Sequence, residues 1–250
     1  DINDYGLIHQ PKFSAVYSFT DNYAAYANWG KTFQVGVGTG TYRVDNDRDL
    51  DPSINEGFEI GFKFRPVSWL DGRVAIWQQT ASNEARRVLN DPNNSSENIG
   101  KTERQGIDLQ FNAQATDQLA LWFAASLQRS EILKADSVSP ESKGQEIDHV
   151  PNYLLNAGVD YQATQKLGLS FWTSAQDSYY LERTNSTREF GQFFLMNASA
   201  SYAITPKVRL ELQLKNLANR YYEYVWFDGT QSLHSPGDGR AVYGSVQVDF

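Results

Sequence analysis

Apolar and polar side chains alternate with a period of two residues along much of this 250-residue chain. Successive side chains of a β-strand point to opposite faces of a sheet, so the alternation predicts strands with one apolar and one polar face. In the last strand the apolar side holds Val242, Gly244, Val246, Val248 and Phe250, and the polar side holds Tyr243, Ser245, Gln247 and Asp249. The period stays near two along the chain, which predicts an all-β fold of antiparallel hairpins.

Short turn signals alternate with long polar segments along the sequence. The turn signals are FTDN (19–22), RPVSWL (65–70), ATDQ (115–118), ATQK (163–166) and ITPK (204–207). The long segments are 31–56, 81–103, 131–149, 179–192 and 217–239. About eleven strands are predicted between them: 12–19, 23–30, 57–65, 71–80, 104–114, 119–130, 151–161, 167–178, 193–203, 208–216 and 240–250. Strands of about ten residues can cross a bilayer, and short turns opposite long loops are typical of outer-membrane β-barrels.

Aromatic residues lie near both ends of the predicted strands, as in the aromatic girdles of membrane barrels. Those near the short turns are Tyr17, Phe19, Tyr23, Phe62, Phe64, Trp69, Tyr161 and Tyr202. Those near the long loops are Trp29, Trp77, Tyr153, Trp172 and Phe193. We therefore expect a transmembrane antiparallel β-barrel whose apolar face contacts lipid. A soluble propeller, with four short strands in each period of about 40–45 residues, is the alternative, but each period here holds two long strands.

Composition excludes several other classes of protein. The chain has 22 basic and 30 acidic residues, a net charge of −8 and no basic block, which argues against a nucleic-acid partner. It has no cysteine, which excludes disulfides and thiolate metal sites. No run approaches the roughly 20 apolar residues of a membrane-spanning helix, so any membrane segments must be strands.

Six segments, in order along the chain, resemble motifs of the TonB-dependent outer-membrane receptors. They are YANWGKTF (26–33), DPSINEGFEIGFKF (51–64), NIGKTERQGIDLQF (98–111), VPNYLLNAGVDY (150–161), LKNLANRYYEYV (214–225) and PGDGRAVYGSVQVDF (236–250). The resemblance implies a 22-stranded barrel filled by an N-terminal plug. It places residues 1–250 as the last eleven strands, with the plug and the first half of the barrel belonging to the rest of a longer receptor.

The same resemblance implies a function. Such receptors take up a scarce ligand, most often a ferric siderophore, with energy from TonB acting through the plug. Membrane lipid and lipopolysaccharide are the other implied partners, and neither a cofactor nor an enzymatic activity is predicted. Cobalamin, heme or an oligosaccharide remains an alternative ligand. A passive porin or an outer-membrane hydrolase remains the alternative from another class.

Candidate substrate-binding residues lie in the long loops. Ferric siderophores are often anionic and carry flat groups, so Arg and aromatic side chains suit them. The candidates are Arg86, Arg87, Tyr179, Tyr180, Arg183, Tyr221, Tyr222, Trp226, Phe227 and His234. The alternative interpretation is that the aromatic residues belong to a girdle and that the arginines pair with loop acids or lipopolysaccharide.

One acidic segment, DNDRDLDPSINE, has the spacing of an EF-hand calcium loop. Positions one, three, five, seven and twelve are Asp45, Asp47, Asp49, Asp51 and Glu56. However, Leu50 replaces the glycine of the sixth position, Pro52 interrupts the segment, and no helices flank it. A solvated acidic loop is therefore favoured, with calcium in a looser arrangement as the alternative, and no other metal site is predicted.

The three histidines do not indicate an active site. His9, His149 and His234 stand far apart in the sequence, without the spacing of a nucleophile elbow or a zinc site. We therefore interpret them as ordinary loop or terminal residues.

Overall fold

The main element of the protein is an eleven-stranded antiparallel sheet. The computed structural model describes residues 6–35, 52–87, 96–98, 100–135, 139–186, 188–227 and 231–249, and of residues 85–87 and 96–98 it describes the backbone alone. The strands of the sheet, in spatial order, are β1 (Lys12–Thr20), β2 (Tyr23–Gln34), β3 (Ser53–Val67), β4 (Leu70–Ser82), β7 (Lys101–Thr116), β8 (Leu119–Lys134), β9 (Tyr153–Gln162), β10 (Leu167–Gln176), β11 (Phe193–Thr205), β12 (Val208–Lys215) and β15 (Ala241–Val248). The all-β prediction and the eleven strands are confirmed.

Two short hairpins extend the long connections. One pairs β5 (Ala85–Arg87) with β6 (Ser96–Asn98), and the other pairs β13 (Glu223–Phe227) with β14 (Ser232–Pro236). The sequence did not predict either of them. Within the described ranges the one helical element is a 3₁₀ turn, Pro140–Ser142, and no helix there is long and apolar enough to cross a membrane.

The strands extend further toward the long connections than the sequence predicted. Strand β2 ends at Gln34 and β3 begins at Ser53, so the predicted loop 31–56 is shorter. Strands β7 and β8 likewise shorten the predicted loops 81–103 and 131–149. The sequence did not predict these extensions because their residues are mostly polar. The backbone hydrogen bonds between strands continue beyond the apolar part of each strand.

A threonine hydroxyl stabilises four of the five short turns. The Thr20 hydroxyl accepts a hydrogen bond from the Asn22 N–H at 3.1 Å, and Thr116 accepts one from Gln118 at 3.2 Å. The same bond joins Lys166 to Thr164 at 3.2 Å and Lys207 to Thr205 at 3.3 Å. Threonine favours such turns because its hydroxyl can replace a backbone acceptor. These turns lie at one end of the sheet, the turn end, and the long connections lie at the other, the loop end.

The register aligns the apolar side chains of all eleven strands on one face. One row across the sheet runs through Tyr17, Ala25, Phe62, Val74, Leu109, Ala125, Leu155, Ala175 and Phe194. Nearer the end of the chain, Leu210 lies opposite Val246 and Leu212 opposite Gly244. Side chains on this face are exposed, including Ile60, Ile76, Leu212 and Val246. An exposed apolar surface of this extent needs an apolar environment, as lipid would provide.

The opposite face is polar and is tied together by hydrogen bonds. Tyr26 donates to Glu59 at 2.5 Å, and Arg73 lies 3.7 Å from Glu59. Arg73 also lies 4.0 Å from Asp108, which accepts a hydrogen bond from Trp77 at 3.1 Å. Charged groups on the inner face of a barrel line its lumen, so this network joins strands β2, β3, β4 and β7 along a polar wall.

Aromatic rings on the polar face pack against glycines of the neighbouring strand. The three opposed pairs are Tyr26 with Gly61, Trp77 with Gly106, and Trp122 with Gly158. A Cβ atom added at any of these glycines would approach ring atoms more closely than 3.0 Å. The glycines therefore leave the space that the rings fill.

The strand register shows on which face of the sheet each predicted girdle residue lies. The aromatic residues predicted at the turn end lie on the apolar face or, for Trp69, in an exposed turn, as expected. At the loop end Trp29 and Tyr153 also lie on the apolar face. The assignment of Trp77, Trp172 and Phe193 to the outer girdle is wrong. All three lie on the polar face: Trp77 is opposite Gly106 and donates to Asp108, Trp172 is opposite Gly158, and Phe193 is opposite Gln176.

Replacing an apolar-face residue with arginine should destabilise the protein more than the same change on the polar face. Leu212→Arg would place a charge in hydrocarbon near the middle of β12, at a cost of about 2–4 kcal/mol in barrels of this kind. Its neighbour Glu211 faces the other side, so Glu211→Arg is the matched control. The free energy of unfolding, measured in lipid vesicles on the receptor that contains this chain, compares them. Equal losses at both positions would contradict contact between this face and lipid.

Alanine at a ring-covered glycine should be costly. We expect Gly158→Ala to reduce the free energy of unfolding by about 1–3 kcal/mol, because the new methyl group overlaps the Trp122 ring. Gly244→Ala is the control, since a Cβ there meets no atom within 4 Å. Both variants are compared by unfolding in the same vesicles. A Gly158→Ala variant as stable as Gly244→Ala would show that the ring moves aside without cost.

Candidate functional site

A small packed core forms at the loop end of the sheet. Tyr179 and Leu181, from the β10–β11 connection, are buried together with Val225 of β13, and Phe190 and Phe227 pack against them. Tyr179 and Phe190 exchange backbone hydrogen bonds of 2.8 and 3.0 Å. These five residues, here called the loop core, join the β10–β11 connection to the β13–β14 hairpin.

Two asparagines fix the base of that hairpin. The Asn216 side-chain amide donates to the carbonyls of Arg220 at 2.8 Å and Asp238 at 3.1 Å. The Asn219 side-chain oxygen accepts a hydrogen bond from the Arg240 N–H at 2.9 Å. Both asparagines have φ near +50°, a left-handed conformation that asparagine adopts more readily than most residues. The segment LKNLANRYY therefore closes the loop at its base.

The β13–β14 hairpin has apolar residues on both faces. Val225 and Phe227 point toward the loop core, and Val225 is fully buried. Tyr224, Trp226 and Leu233 lie on the other face and are 46%, 59% and 48% exposed. Trp226 and Leu233 are direct cross-strand partners. The hairpin thus presents an apolar and aromatic surface on a packed support.

Further aromatic residues lead from the sheet to this surface. Phe193, on the polar face of β11, lies 5.5 Å from Tyr222 between ring centroids, and Tyr222 lies 6.2 Å from Tyr224. Gly237 allows the Tyr222 ring to approach, because a Cβ there would overlap the ring. The rings form a continuous series from the polar wall to the exposed face of the hairpin.

His149 contacts both loop segments from the β8–β9 connection. Its ring stacks on Trp226 with centroids 4.8 Å apart and an interplanar angle of 24°, and lies 5.2 Å from the Tyr179 ring. Its Nδ1 lies 2.9 Å from an Asp148 carboxylate oxygen, and its backbone N–H donates to the Tyr180 carbonyl at 2.9 Å. Three connections therefore meet at one histidine.

A cluster of three polar side chains lies at the base of the β13–β14 hairpin. Tyr221 donates to Glu223 at 2.7 Å, and His234 Nδ1 lies 3.0 Å from the same carboxylate oxygen. Hydrogen bonds from Tyr221 and His234 hold the pKa of Glu223 below its usual value. The Glu223 carboxylate in turn raises the pKa of Tyr221, and Glu189 raises the pKa of Tyr180 in the same way. These tyrosines are therefore protonated hydrogen-bond donors near neutral pH.

The three connections that meet at His149 are β8–β9, β10–β11 and β12–β15. Their described parts contain more acidic than basic residues. The basic residues there are Lys143, Arg183, Arg188, Arg220 and Arg240. The acidic residues there are Glu141, Glu146, Asp148, Asp177, Glu182, Glu189, Glu223 and Asp238. Chemically, this region suits stacking and hydrogen bonding to a flat ligand better than attraction of an anion by net charge.

The structure brings most of the predicted loop residues into one region. Tyr179 and Phe227 belong to the loop core, and Trp226 lies on the exposed face of the hairpin. His234 packs edge-on against Phe190, with ring centroids 5.6 Å apart. Tyr180 offers its carbonyl to His149, and Arg183 lies in the turn that follows Leu181. Their roles in binding substrate remain predictions.

The other predicted residues lie apart from this region or outside the described residues. The backbone pairs Arg86 with Glu97 and Arg87 with Ser96 in β5–β6, but their side chains are not among those described. Asp45, Asp47, Asp49 and Asp51 fall outside the described ranges. Glu56 lies on β3, where it accepts from Trp29 at 3.0 Å and pairs with Lys31 at 3.2 Å. Among the described residues no group of three or more His, Asp or Glu side chains could hold a metal ion.

Sequence reasoning missed the residues that support the site. Leu181 and Val225 lack periodic apolar neighbours, and His149 was interpreted as an ordinary loop residue. One available signal was the pair of aromatic segments SYYL and YEYVWF in neighbouring loops, since neighbouring loops of a meander can pack together. No pattern in the sequence pointed to a histidine between them.

Comparisons with known proteins agree with the fold. A family model described as TonB dependent receptor-like, beta-barrel matches residues 3–217. The chain is 25% identical over 252 residues to the metal-pseudopaline receptor CntO of Pseudomonas aeruginosa strain UCBPP-PA14, covering 96% of this chain and 33% of that protein. It is 23% identical to the probable TonB-dependent siderophore receptor PiuA of Acinetobacter baumannii, covering 92% of this chain and 32% of that protein.

Solved structures show the same sheet. The crystal structure of the siderophore receptor PiuA from Acinetobacter baumannii matches with a TM-score of 0.79 at 20% identity, covering 95% of this chain and 35% of that one. The unliganded ferric citrate transporter FecA matches with a TM-score of 0.79 at 19% identity, covering 96% and 38%. This chain spans about a third of the length of these relatives. With the family model matching most of its length, the chain belongs to the TonB-dependent receptor-like β-barrel family of the bacterial outer membrane.

Proposed function

We propose that this chain is the C-terminal part of the barrel of a receptor that takes up a ferric siderophore with energy supplied through TonB. Relatives that match nearly the whole chain are named as receptors for metal-pseudopaline and siderophores. Similar solved structures include a ferripyoverdine receptor bound to its ligand. We infer that the role is binding and transport, because the family is one of receptors and transporters.

The observation that carries the proposal is the exposed aromatic surface of the β13–β14 hairpin. Tyr224 and Trp226 project from a hairpin whose other face is packed against the loop core. Aromatic rings bind flat ligand groups by stacking and lose little conformational entropy when they do so. The series of rings that continues through Tyr222 to Phe193 offers further contacts toward the polar wall. This arrangement is suited to capturing a ligand and passing it toward the lumen.

The rest of the receptor would complete the barrel. Within the described residues, β1 and β15 are the edges of the sheet. An open strand edge invites further pairing, and a closed barrel removes it. We infer that the remaining strands of the receptor pair with these edges, and that a plug in another part of the receptor contacts TonB.

We also infer contacts with the membrane. The apolar face would contact acyl chains, as its exposed side chains require. At the loop end of that face, Lys31 and Glu56 form an ion pair beside Trp29. This charged border fits the headgroup region, where lipopolysaccharide would lie.

Removing the hairpin aromatics should weaken ligand binding. In the full-length receptor, we expect Trp226→Ala to raise the Kd about 2- to 30-fold, because one exposed aromatic contact contributes about 0.5–2 kcal/mol. Ferripyoverdine, ferric enterobactin and ferric citrate serve as probes, since similar proteins are named for these ligands. Trp69→Ala is the control, as Trp69 is an exposed tryptophan at the turn end.

The salt dependence of binding identifies the kind of ligand. If Arg86 and Arg87 attract an anionic chelate, replacing both with alanine should weaken binding, and the loss should shrink at high salt, where exposed charges are screened beyond about 10 Å. A neutral ligand such as an oligosaccharide would depend on Trp226 but not on the arginines or on salt. Unchanged affinity in both variants would place the capturing surface elsewhere in the receptor.

A further inference from the structure

We propose that His149 positions the β13–β14 hairpin by holding one face of the Trp226 ring. The role of Trp226 in capture rests on the proposed function, but the positioning of the hairpin does not. No sequence pattern links the two residues, and His149 lies 77 positions before Trp226 in the chain.

The first argument is the geometry of the rings. His149 stacks on Trp226 at 4.8 Å, close to parallel, and its ring also lies 5.2 Å from Tyr179 of the loop core. Trp226 still has 59% of its surface exposed. The histidine therefore supports one side of the indole, and much of the remaining surface faces solvent.

The second argument is the way in which His149 is itself held. A carboxylate only accepts hydrogen bonds, so Nδ1 donates to Asp148, whose side chain is 5% exposed. The backbone N–H donates to Tyr180 in the next connection. The ring is thus fixed by bonds that do not involve the hairpin, and it can act as an anchor for it.

The third argument is that this arrangement carries two local costs. His149 has φ of +59°, in the left-handed region that a few per cent of non-glycine residues adopt, histidine more often than most. Its Nε2 is buried without a hydrogen-bond partner in the described structure. Such costs persist where surrounding contacts outweigh them, and they concentrate at functional positions. Here the contacts that outweigh them join three connections.

Positioning the hairpin in advance should increase affinity. A ligand that stacks on Trp226 would otherwise have to order the hairpin and the side chain as it binds. Losing the support should therefore raise the Kd by about two- to ten-fold, less than or equal to the effect of removing Trp226 itself.

His149→Asn tests the ring alone. Asparagine tolerates a left-handed φ and carries an N–H donor for Asp148, but it has no ring to stack on Trp226. A nitroxide spin label on Ser235→Cys, on the exposed face of β14, reports hairpin mobility, and the chain has no cysteine of its own. The label is measured in the full-length receptor, and His9→Asn, which changes an exposed histidine near the start of the chain, is the matched control.

We expect label mobility to rise in His149→Asn and to stay unchanged in His9→Asn. Trp226→Leu, which removes the other ring, should raise label mobility to the same level. The double variant should raise it no further, because both substitutions remove the same contact between the His149 and Trp226 rings. Additive effects, or a label as immobile in His149→Asn as in the parent protein, would overturn the proposal. Retention of the folded barrel is checked by circular dichroism for each variant.

Titration of His149→Asn, and of the Trp226→Ala variant used to test capture, with the three ferric probes separates the two proposals. Raised mobility with weaker binding supports both. Raised mobility with unchanged affinity in both His149→Asn and Trp226→Ala supports the positioning role and overturns the proposed capture site. Weaker binding in Trp226→Ala alone, with an immobile label in His149→Asn, leaves the capture site standing and overturns the role of His149.

Discussion

The antiparallel register of the sheet decides which side chains meet lipid, which line the polar wall and which loops lie side by side. A shift of one residue in any strand would exchange its two faces, because side chains alternate. In β3 and β4 such a shift would turn Glu59 and Arg73 toward lipid and bring Ile60 and Ile76 into the polar wall. Most of the short turns are held by a threonine hydroxyl, which fixes where each hairpin reverses. The register in turn places the long connections side by side, since neighbouring strands lie only about 4.7–4.9 Å apart.

The sequence predicted the sheet well because the lipid-facing side requires a period of two over long segments. Its failures follow from the same rule. Trp77 and Trp172 were assigned to a girdle by their distance from a strand end, whereas their faces are set by parity with Asp108 and Gly158. The girdle at the turn end was correct because Phe62, Phe64 and their neighbours alternate with polar residues over the whole strand. The distance of a residue from the strand end predicts its depth in the membrane. Whether it is an odd or even number of residues from a known lipid-facing position predicts which face of the sheet it lies on.

The candidate site was harder to predict because loop packing has no period. Tyr179, Trp226 and His234 could be selected for their chemistry, but nothing in the sequence distinguishes the buried Tyr179 from the exposed Trp226. Long-range contacts decide that difference: Tyr179 packs with Leu181 and Val225, while Trp226 is held on one side by a histidine from a third connection. Asn216 and Asn219 are similar cases, since their side chains close the base of a long loop. The hydrogen bond from Asn216 to the Asp238 carbonyl joins residues 22 positions apart in the chain. Only the folded chain brings these groups together.

Charge and aromaticity would contribute differently to the proposed capture of a ligand. The described acids of the three connections outnumber the bases, and Glu223 already accepts hydrogen bonds from Tyr221 and His234. Net attraction of an anionic chelate would therefore have to come from other parts of the receptor, including the Arg86–Arg87 pair. On the proposed function, the hairpin would contribute a stacking surface, which salt does not screen as it screens pairs of charges.

In both the polar wall and the loops, aromatic rings pack against a fixed part of the neighbouring chain segment. In the wall Trp122 lies over Gly158, and in the loops Tyr179 lies over Gly191 and Tyr222 over Gly237. A glycine gives a ring a rigid backbone support and no competing side chain. Trp226 is supported by a side chain, the His149 ring, which is anchored through Asp148. On the proposed function, a ring held on one face would keep its other face free for stacking without losing further conformational freedom, so support from His149 would make Trp226 a better binding surface than an unsupported loop tryptophan.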